Sequence, residues 1–254
     1  MKSQSRMSYL RAGVPIKGPL LRYLDPGAPL VVFDVGACEG EDSIRYARLL
    51  PAARIIAIEP VPDNQARCAA LIAREHLTDR IALERCALGA GCGSATLFVS
   101  SGQPPDAAGD WDYGNKSSSL YPPGEVRNAR DWLQFNQTIE VPVRTLAAVA
   151  NDHAVARIDL LHLDVQGAEL EVLRGAGAWL QRIGLIWLEV AAIPLYAGQP
   201  LRHDIEAFMA AANFVCVHET RRSRDGDQLY RHRELRKRPL WQRLVSRPAR
   251  LRRV

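Results

Sequence analysis

A handful of residues at the ends of apolar runs have the types and spacing that chemistry needs. Residues 30–33 form an apolar run that enters Asp34-Val35-Gly36-Ala37-Cys38-Glu39-Gly40, and a helix pattern follows with Ile44, Ala47 and Leu50 on one stripe. Strand, glycine turn and helix in that order let a ligand approach the backbone, because glycine lacks a Cβ and tolerates positive φ. The helix start adds free N–H groups and partial positive charge, and Asp34 stands at the carboxyl end of its strand, where open α/β sheets bind ligands. The spacing Asp-x-Gly-x-x-x-Gly differs from the dinucleotide pattern Gly-x-Gly-x-x-Gly: Cys38 occupies a glycine position, which disfavours a dinucleotide. Glu59 ends the next apolar run, 25 positions after Asp34, where a carboxylate can accept hydrogen bonds from both hydroxyls of a ribose. In residues 158–165 the period-two alternation of a strand puts His162 and Asp164 on one face.

The elements that must position these groups alternate between strand and helix. Residues 54–59 read as a second buried strand whose near-continuous apolar character suits a parallel sheet covered on both faces. Residues 62–76 read as a helix, 81–88 as a third strand whose end at Ala87 would rest against an adenine, and 94–99 as a strand joined to it in a hairpin through Gly89, Gly91 and Gly93. A short strand at 138–143 precedes a helix at 146–150 capped by Thr145. The fourth core strand, 158–165, turns through Gln166-Gly167 into a helix over 168–174 that Gly175 and Gly177 break. A fifth core strand at 183–190 carries Glu189 near its end, a helix spans 202–212, and 214–218 with 228–232 form a closing antiparallel pair. The fold expected is therefore α/β: a doubly wound, mostly parallel, Rossmann-like sheet with helices on both faces and an antiparallel C-terminal strand pair. Residues 1–28 read as an irregular lead-in with a short helix near 20–24, residues 29–232 as the main domain, and 233–254 as a basic amphipathic tail. Within the domain, residues 100–136 are rich in Gly and Pro yet hold Trp111, Tyr113, Tyr121 and Trp132. A loop of that length with such aromatics is read as a lid over the substrate.

Composition sets bounds on the rest. The chain of 254 residues carries a net charge of +5, but residues 221–254 hold 13 Lys/Arg against 3 Asp/Glu, and the preceding 220 residues hold 20 against 25. The basic character belongs to the tail, whose Leu240, Trp241, Leu244 and Val245 share a helical face, a pattern suited to an anionic membrane surface. No nucleic-acid-reading motif accompanies it, so no nucleic-acid partner is expected. No apolar run is long enough to span a membrane, and the start lacks the apolar segment of a secretory signal. Five cysteines without a Cys-x-x-Cys pair fit reduced thiols. The expected location is the cytoplasm, with peripheral membrane contact through the tail.

Four stretches taken together resemble the FkbM family of S-adenosylmethionine (SAM)-dependent methyltransferases, of the Rossmann-like class I. They are Asp34-Val35-Gly36-Ala37 with Gly40 and Ser43; Glu59-Pro60; Ser118-Ser119-Leu120; and Asp164-Val165-Gln166-Gly167-Ala168-Glu169 with Leu173, Gly175 and Ala176. Tyr196-Ala197-Gly198-Gln199-Pro200 adds to the likeness. The resemblance implies methyl transfer from SAM, usually to an oxygen of a sugar, glycan or secondary metabolite. It places the cofactor against Asp34, Gly36, Ala37, Gly40, Ser43, Glu59, Pro60 and Ala87. Three positions depart from the family pattern: Cys38 where Asn is usual, His162 where Lys is frequent, and Gln166 where Glu is frequent.

SAM brings an activated methyl, so the protein chiefly supplies position and proton removal. Asp164 is the first candidate base, His162 the second, and Glu169 and Glu189 could orient the acceptor or the base. Bland readings stand beside these: His162 as a core histidine, Glu169 as a helix N-terminal residue favoured by the dipole. His162, Asp164 and Glu189 could hold a divalent metal, but no ligand motif demands one, and no metal is expected. The rival to catalysis is a non-catalytic nucleoside-binding protein that recruits a partner or an anionic surface through its basic tail.

Overall fold

In a computed structural model, which describes residues 6–107, 111–221 and 223–236, the apolar runs become a parallel sheet and the segments between them its covering helices. Two short helices, α1 (Arg6–Arg11) and α2 (Lys17–Leu20), precede β1 (Val31–Val35), α3 (Glu41–Leu49), β2 (Arg54–Ile58) and α4 (Pro62–Arg74). Then come β3 (Ile81–Glu84), β4 (Ala87–Leu88), β5 (Gly93–Ser101), a 3-10 turn (Gly114–Ser117), α5 (Val126–Ala129), β6 (Gln134–Arg144) and α6 (Leu146–Asp152). The chain continues through β7 (Ile158–Leu163), α7 (Glu169–Ala176), a 3-10 turn (Gly177–Arg182), β8 (Ile183–Ala191), α8 (Arg202–Ala211), β9 (Phe214–Arg221) and β10 (Asp225–His232). The main sheet has the order β3-β2-β1-β7-β8-β10-β9. Its first five members pair in parallel, and β10 runs antiparallel to both β8 and β9. This is the doubly wound α/β sheet with an antiparallel C-terminal pair, and its order reverses between β1 and β7.

Alternation along the central strands sorts the core into two layers. Phe33, Val35, Ile56, Ile58, Leu161 and Leu163 face Leu146, Leu170 and Leu173 of α6 and α7. Val32, Ile55, Ala57 and Leu160 face Ile44 and Ala47 of α3 and Cys68 and Leu71 of α4. Asp34 and His162 lie on this second face, paired in register across β1 and β7.

Several expectations give way here. Residues 81–88 are not one strand, and 94–99 forms no hairpin with it: β4 and β5 instead flank β6 in a separate three-stranded sheet. The cause is the apolar side of the longer strand β6, whose Ile139, Val141 and Val143 pack with Ala87 and Leu97 and against Val61. Within residues 6–28, Leu10, Val14, Ile16, Leu20 and Leu24 are buried in the second layer. Gly175 does not break its helix; it lies inside α7, where a Cβ would come within 2.0 Å of the Gly89 carbonyl oxygen. The helix ends at Gly177, which has φ +51°. Thr145 caps α6 as expected, its hydroxyl accepting from the Ala148 N–H at 3.1 Å. Among the described residues no helix is long and apolar enough to cross a membrane. The tail's apolar positions from 240 onward lie outside the described residues.

Candidate active site

The carboxyl ends of β1, β2 and β7 meet where the strand order reverses, the place at which open α/β sheets take ligands. Gly36 (φ +82°) makes that meeting possible, since a Cβ there would lie 1.9 Å from the Asp164 carbonyl oxygen. Behind the turn, Asp34 is buried and fully engaged: Oδ1 meets His162 Nδ1 at 2.8 Å and Oδ2 accepts from the Ser43 hydroxyl at 2.5 Å. The Tyr46 ring stands edge-on to the imidazole at 5.6 Å. Burial alone would lower the His162 pKa, but the hydrogen bond and charge of Asp34, with Asp42 and Asp164 nearby, raise it to about 9. His162 is therefore a fixed cation near neutral pH, paired with Asp34.

In front of the turn lies a cavity partly open to solvent. Glu59 enters it from the end of β2, with Pro60 beside it, and Ala87, Leu88, Leu97 and Leu120 supply an apolar wall. The Glu59 carboxylate accepts from the Cys38 N–H at 2.9 Å, the Val61 N–H at 2.8 Å and the Asn64 amide at 3.4 Å. Burial pushes its pKa up to about 7 against the pull of those donors. A carboxylate offers about four acceptor positions, so this one has room for one further donor rather than the two expected. Cys38 sits at φ +50°, a conformation that asparagine, the usual residue there in the FkbM pattern, tolerates more readily.

Asn115, Lys116, Ser118 and Leu120 of the 100–136 insertion form part of the wall of the same cavity. Ser119 and Phe98 exchange backbone hydrogen bonds at 2.9 and 3.1 Å, the Tyr196 hydroxyl donates to the Ser117 carbonyl at 2.8 Å, and the Asn115 amide donates to Glu39 at 2.8 Å. Lys116 crosses to α3, its Nζ 3.0 Å from Glu41 Oε1. Burial works against its charge, and the neighbouring Cys38 and Glu41 outweigh burial; with the Cys38 thiol itself pushed up by burial, the working anion is Glu41.

At the end of β7, Asp164 lines the cavity and is exposed to it. Gln166, at φ +53°, places its amide nitrogen 2.5 Å from Asp164 Oδ1 and 3.0 Å from Glu189 Oε2. Ionised carboxylates accept, which orients the amide this way round, and its oxygen lies 2.8 Å from the Tyr196 hydroxyl, whose one proton is shared between this oxygen and the Ser117 carbonyl. The surrounding protein raises the Asp164 pKa, opposed by His162 and by the Gln166 hydrogen bond. Since Asp164 opens onto the cavity, solvent there tempers the shift. Glu189 is half-buried and shifted well upward by its low-polarity surroundings and then by Asp164 and Glu169. Glu169 turns away from the cavity and closes its own turn, accepting from the N–H groups of Val165 and Gly167, each at 3.1 Å. Burial takes its pKa to about 7.

Of the sequence candidates, Gly36, Glu59, Pro60, Ala87 and Asp164 line the cavity; Asp34, Ala37 and His162 back onto a smaller space behind it; Gly40 and Ser43 line neither. Gly40 instead rests on Cys68 at the start of α3. Asn115, Lys116 and Tyr9, which also approach the turn, carry no motif that singles them out. Among the described residues no group of His, Cys, Asp or Glu is arranged to hold a metal ion; the Gln166 amide stands between Asp164 and Glu189.

The profile of the methyltransferase FkbM domain matches residues 34–216, a span that holds every one of these strand ends. The chain belongs to the FkbM methyltransferase family. It is 32% identical over 219 residues to the 2-O-methyltransferase NoeI of Sinorhizobium fredii, covering 85% of this chain and 83% of that one. It is 29% identical over 162 residues to the methyltransferase sdnD of Sordaria araneosa, covering 59% of this chain and 61% of that one. Among solved structures, methyltransferase FkbM from Methylobacillus flagellatus KT superposes with a TM-score of 0.51 at 17% identity, a likeness of fold. The match covers 89% of this chain, which spans half the length of that protein. Membership makes the protein a SAM-dependent methyltransferase. The cavity fits that cofactor: a carboxylate with a spare acceptor position stands beside an apolar slot, at a backbone turn that admits no Cβ.

Proposed function

We propose that this protein O-methylates a hydroxyl of a sugar, glycan or secondary metabolite. The observation that carries the reading is Asp164: a carboxylate of raised pKa, exposed at the end of β7 onto the cavity that Glu59 enters from β2. The name of the relative NoeI, a 2-O-methyltransferase, supports oxygen as the acceptor atom.

In this reading Glu59 receives a ribose hydroxyl, and Pro60, Ala87 and Leu88 flank the base. SAM, when bound, supplies an activated methyl group. Asp164 takes the proton of the acceptor hydroxyl as its oxygen gains the methyl; a raised pKa brings a carboxylate closer to the strength a base needs near neutral pH. Gln166 holds Asp164 in place from one side, and His162 supplies a fixed positive charge behind it. Glu169 shapes the turn and takes no part in proton transfer. The protein acts in the cytoplasm, and its Arg-rich segment 233–254 contacts anionic membrane surfaces peripherally.

The test is methyl transfer from radiolabelled SAM to a panel of glycosides, each with its 2-deoxy counterpart. Label should appear on hydroxyl-bearing acceptors and disappear when the reacting hydroxyl is removed. Transfer only to amine acceptors would contradict the reading.

A further inference from the structure

Three loops far apart in the chain close on Gln166. At φ +53° it holds a left-handed conformation that few residues other than glycine and asparagine take readily, so contacts must keep it there. Its carbonyl accepts from the Ser119 hydroxyl at 2.6 Å. The next residue, Gly167, is seated against Gln199, whose Cβ would lie 3.1 Å from a Cβ at 167. The Gln166 amide oxygen lies 2.8 Å from the Tyr196 hydroxyl, and the amide nitrogen reaches Asp164 and Glu189 at 2.5 and 3.0 Å. Tyr196 is itself fixed. It is buried with Val126, Leu133 and Leu195, edge-on to the Phe135 ring, and its N–H donates to the Gln199 side-chain oxygen at 2.6 Å. Burial pushes the phenol pKa above its usual value, so near neutral pH the hydroxyl keeps its proton and remains a donor.

An amide whose oxygen is held by a fixed donor presents its N–H groups in a fixed direction, and here that direction is the Asp164 carboxylate. A hydrogen bond to the charged form of a carboxyl favours that form, and the bond from Gln166 opposes the burial that raises the Asp164 pKa. We propose that Tyr196 is a positioning residue for methyl transfer: acting through Gln166, it holds Asp164 ionised and in place at the cavity. The inference rests on Asp164 being the base. It gives glutamine at 166, a departure from the family pattern, a reason: a glutamate there would set a third carboxylate beside Asp164 and Glu189 with no N–H to offer. Other charges also bear on Asp164. His162 on its own strand favours ionisation, and Asp227 from β10 and Asp42 from α3 oppose it. Glu189 from β8 and Glu169 from α7 feel its charge in turn, and Cys38, Glu59 and Lys116 share its cavity. Arg130 acts on Tyr196. Removing the Tyr196 hydroxyl leaves all of these in place, so a changed Asp164 titration reports the link through Gln166.

The chain labelled with carbon-13 at its aspartate side-chain carboxyls is titrated by NMR as the unaltered protein, as Tyr196→Phe and as Gln166→Asn. Asp164→Asn identifies the Asp164 signal by its absence. Asparagine suits the left-handed backbone at 166 and is one methylene too short to span from Tyr196 to Glu189, so it carries the test should Tyr196→Phe not fold. The Asp164 pKa should rise by roughly 0.5–1 pH unit in Tyr196→Phe, the worth of one hydrogen bond, and should rise in Gln166→Asn as well. Methyl transfer by Tyr196→Phe should be ~3- to 10-fold slower below the Asp164 pKa and recover above it, with S-adenosylhomocysteine affinity unchanged. An Asp164 titration that does not move in the folded variants, or a rate lowered equally at every pH, would overturn the assignment. Full methyl transfer by Asp164→Asn would instead remove the base, and the assignment would fall with that reading even where the titration moves.

Discussion

Asp164 and His162 alternate onto one face of β7, yet they stand in opposite electrostatic conditions. Asp164 is exposed to the cavity and held by the Gln166 amide at 2.5 Å. His162 is locked to Asp34 at 2.8 Å with its pKa raised to about 9, so near neutral pH it has no lone pair free to accept a proton. Asp164→Asn keeps the shape and removes the proposed base: single-turnover methyl transfer should fall by ~10²-fold or more, with SAM affinity little changed, as for a group that acts only in the chemical step. His162→Gln should cost less than ~10-fold in the same assay. The reverse ranking would make the imidazole the base. The sequence shows both residues on one face, but their electrostatic conditions depend on a cross-strand register. Asp34 and His162 meet across β1 and β7, and no local pattern announces that pairing. Gln166 stood out only as a departure from a family pattern; its bridge between Asp164 and Glu189 depends on the turn after β7 and on β8 arriving beside it.

Two of the elements that hold the site, β1 and β7, meet through a close backbone contact. At Gly36 a Cβ would meet the Asp164 carbonyl at 1.9 Å, and the residue has φ +82°; at Gly177, φ is +51° but nothing lies within 4 Å. Ala at Gly177, whose ψ of −128° lies outside the left-handed helical well, meets only the conformational penalty, on the order of 1–3 kcal/mol. Ala at Gly36 adds a backbone collision between β1 and β7 and should cost on the order of 3–5 kcal/mol. Denaturant unfolding of the two variants checks this, and equal stabilities would remove the close approach as the reason for glycine at 36. The glycine turn and the core strands were legible because each is local: an apolar run, a turn residue and a helical stripe in sequence order. The three-stranded sheet was not. Its central strand β6 (Gln134–Arg144) follows β5 (Gly93–Ser101) by a long insertion and also pairs with β4, so its pairings are non-local. Tyr9 and Lys116 escaped for the same reason, since each reaches the turn only through the path of a Gly- and Pro-rich segment.

Across the whole molecule, the site concentrates buried carboxyl groups whose pKa values lie above those of an unfolded chain. Glu59 and Glu169 stand at about 7 against 4.5, and His162 at about 9 against 6.5. In each case the folded state holds its proton at a pH where the unfolded state has released it, so stability falls as pH rises. The two glutamates act between about pH 4.5 and 7 and His162 between about 6.5 and 9. Each contribution is on the order of 3 kcal/mol. The ligand-free protein should therefore melt at progressively lower temperature from about pH 5 to pH 9. Glu169→Gln should flatten the lower part of that curve and His162→Gln the upper part. A melting temperature that rises across this range would mean that these groups are not held protonated by the fold.

The central claim is that the cavity at the end of β2 holds the nucleoside of SAM, with Glu59 as its ribose partner. Calorimetric titration of S-adenosylhomocysteine into the unaltered protein and into Glu59→Ala, both verified as folded, tests it most directly. Removing a charged acceptor should weaken binding by about 1.5–3 kcal/mol, roughly 10- to 150-fold. A folded Glu59→Ala protein that binds S-adenosylhomocysteine as tightly as the unaltered one would contradict it.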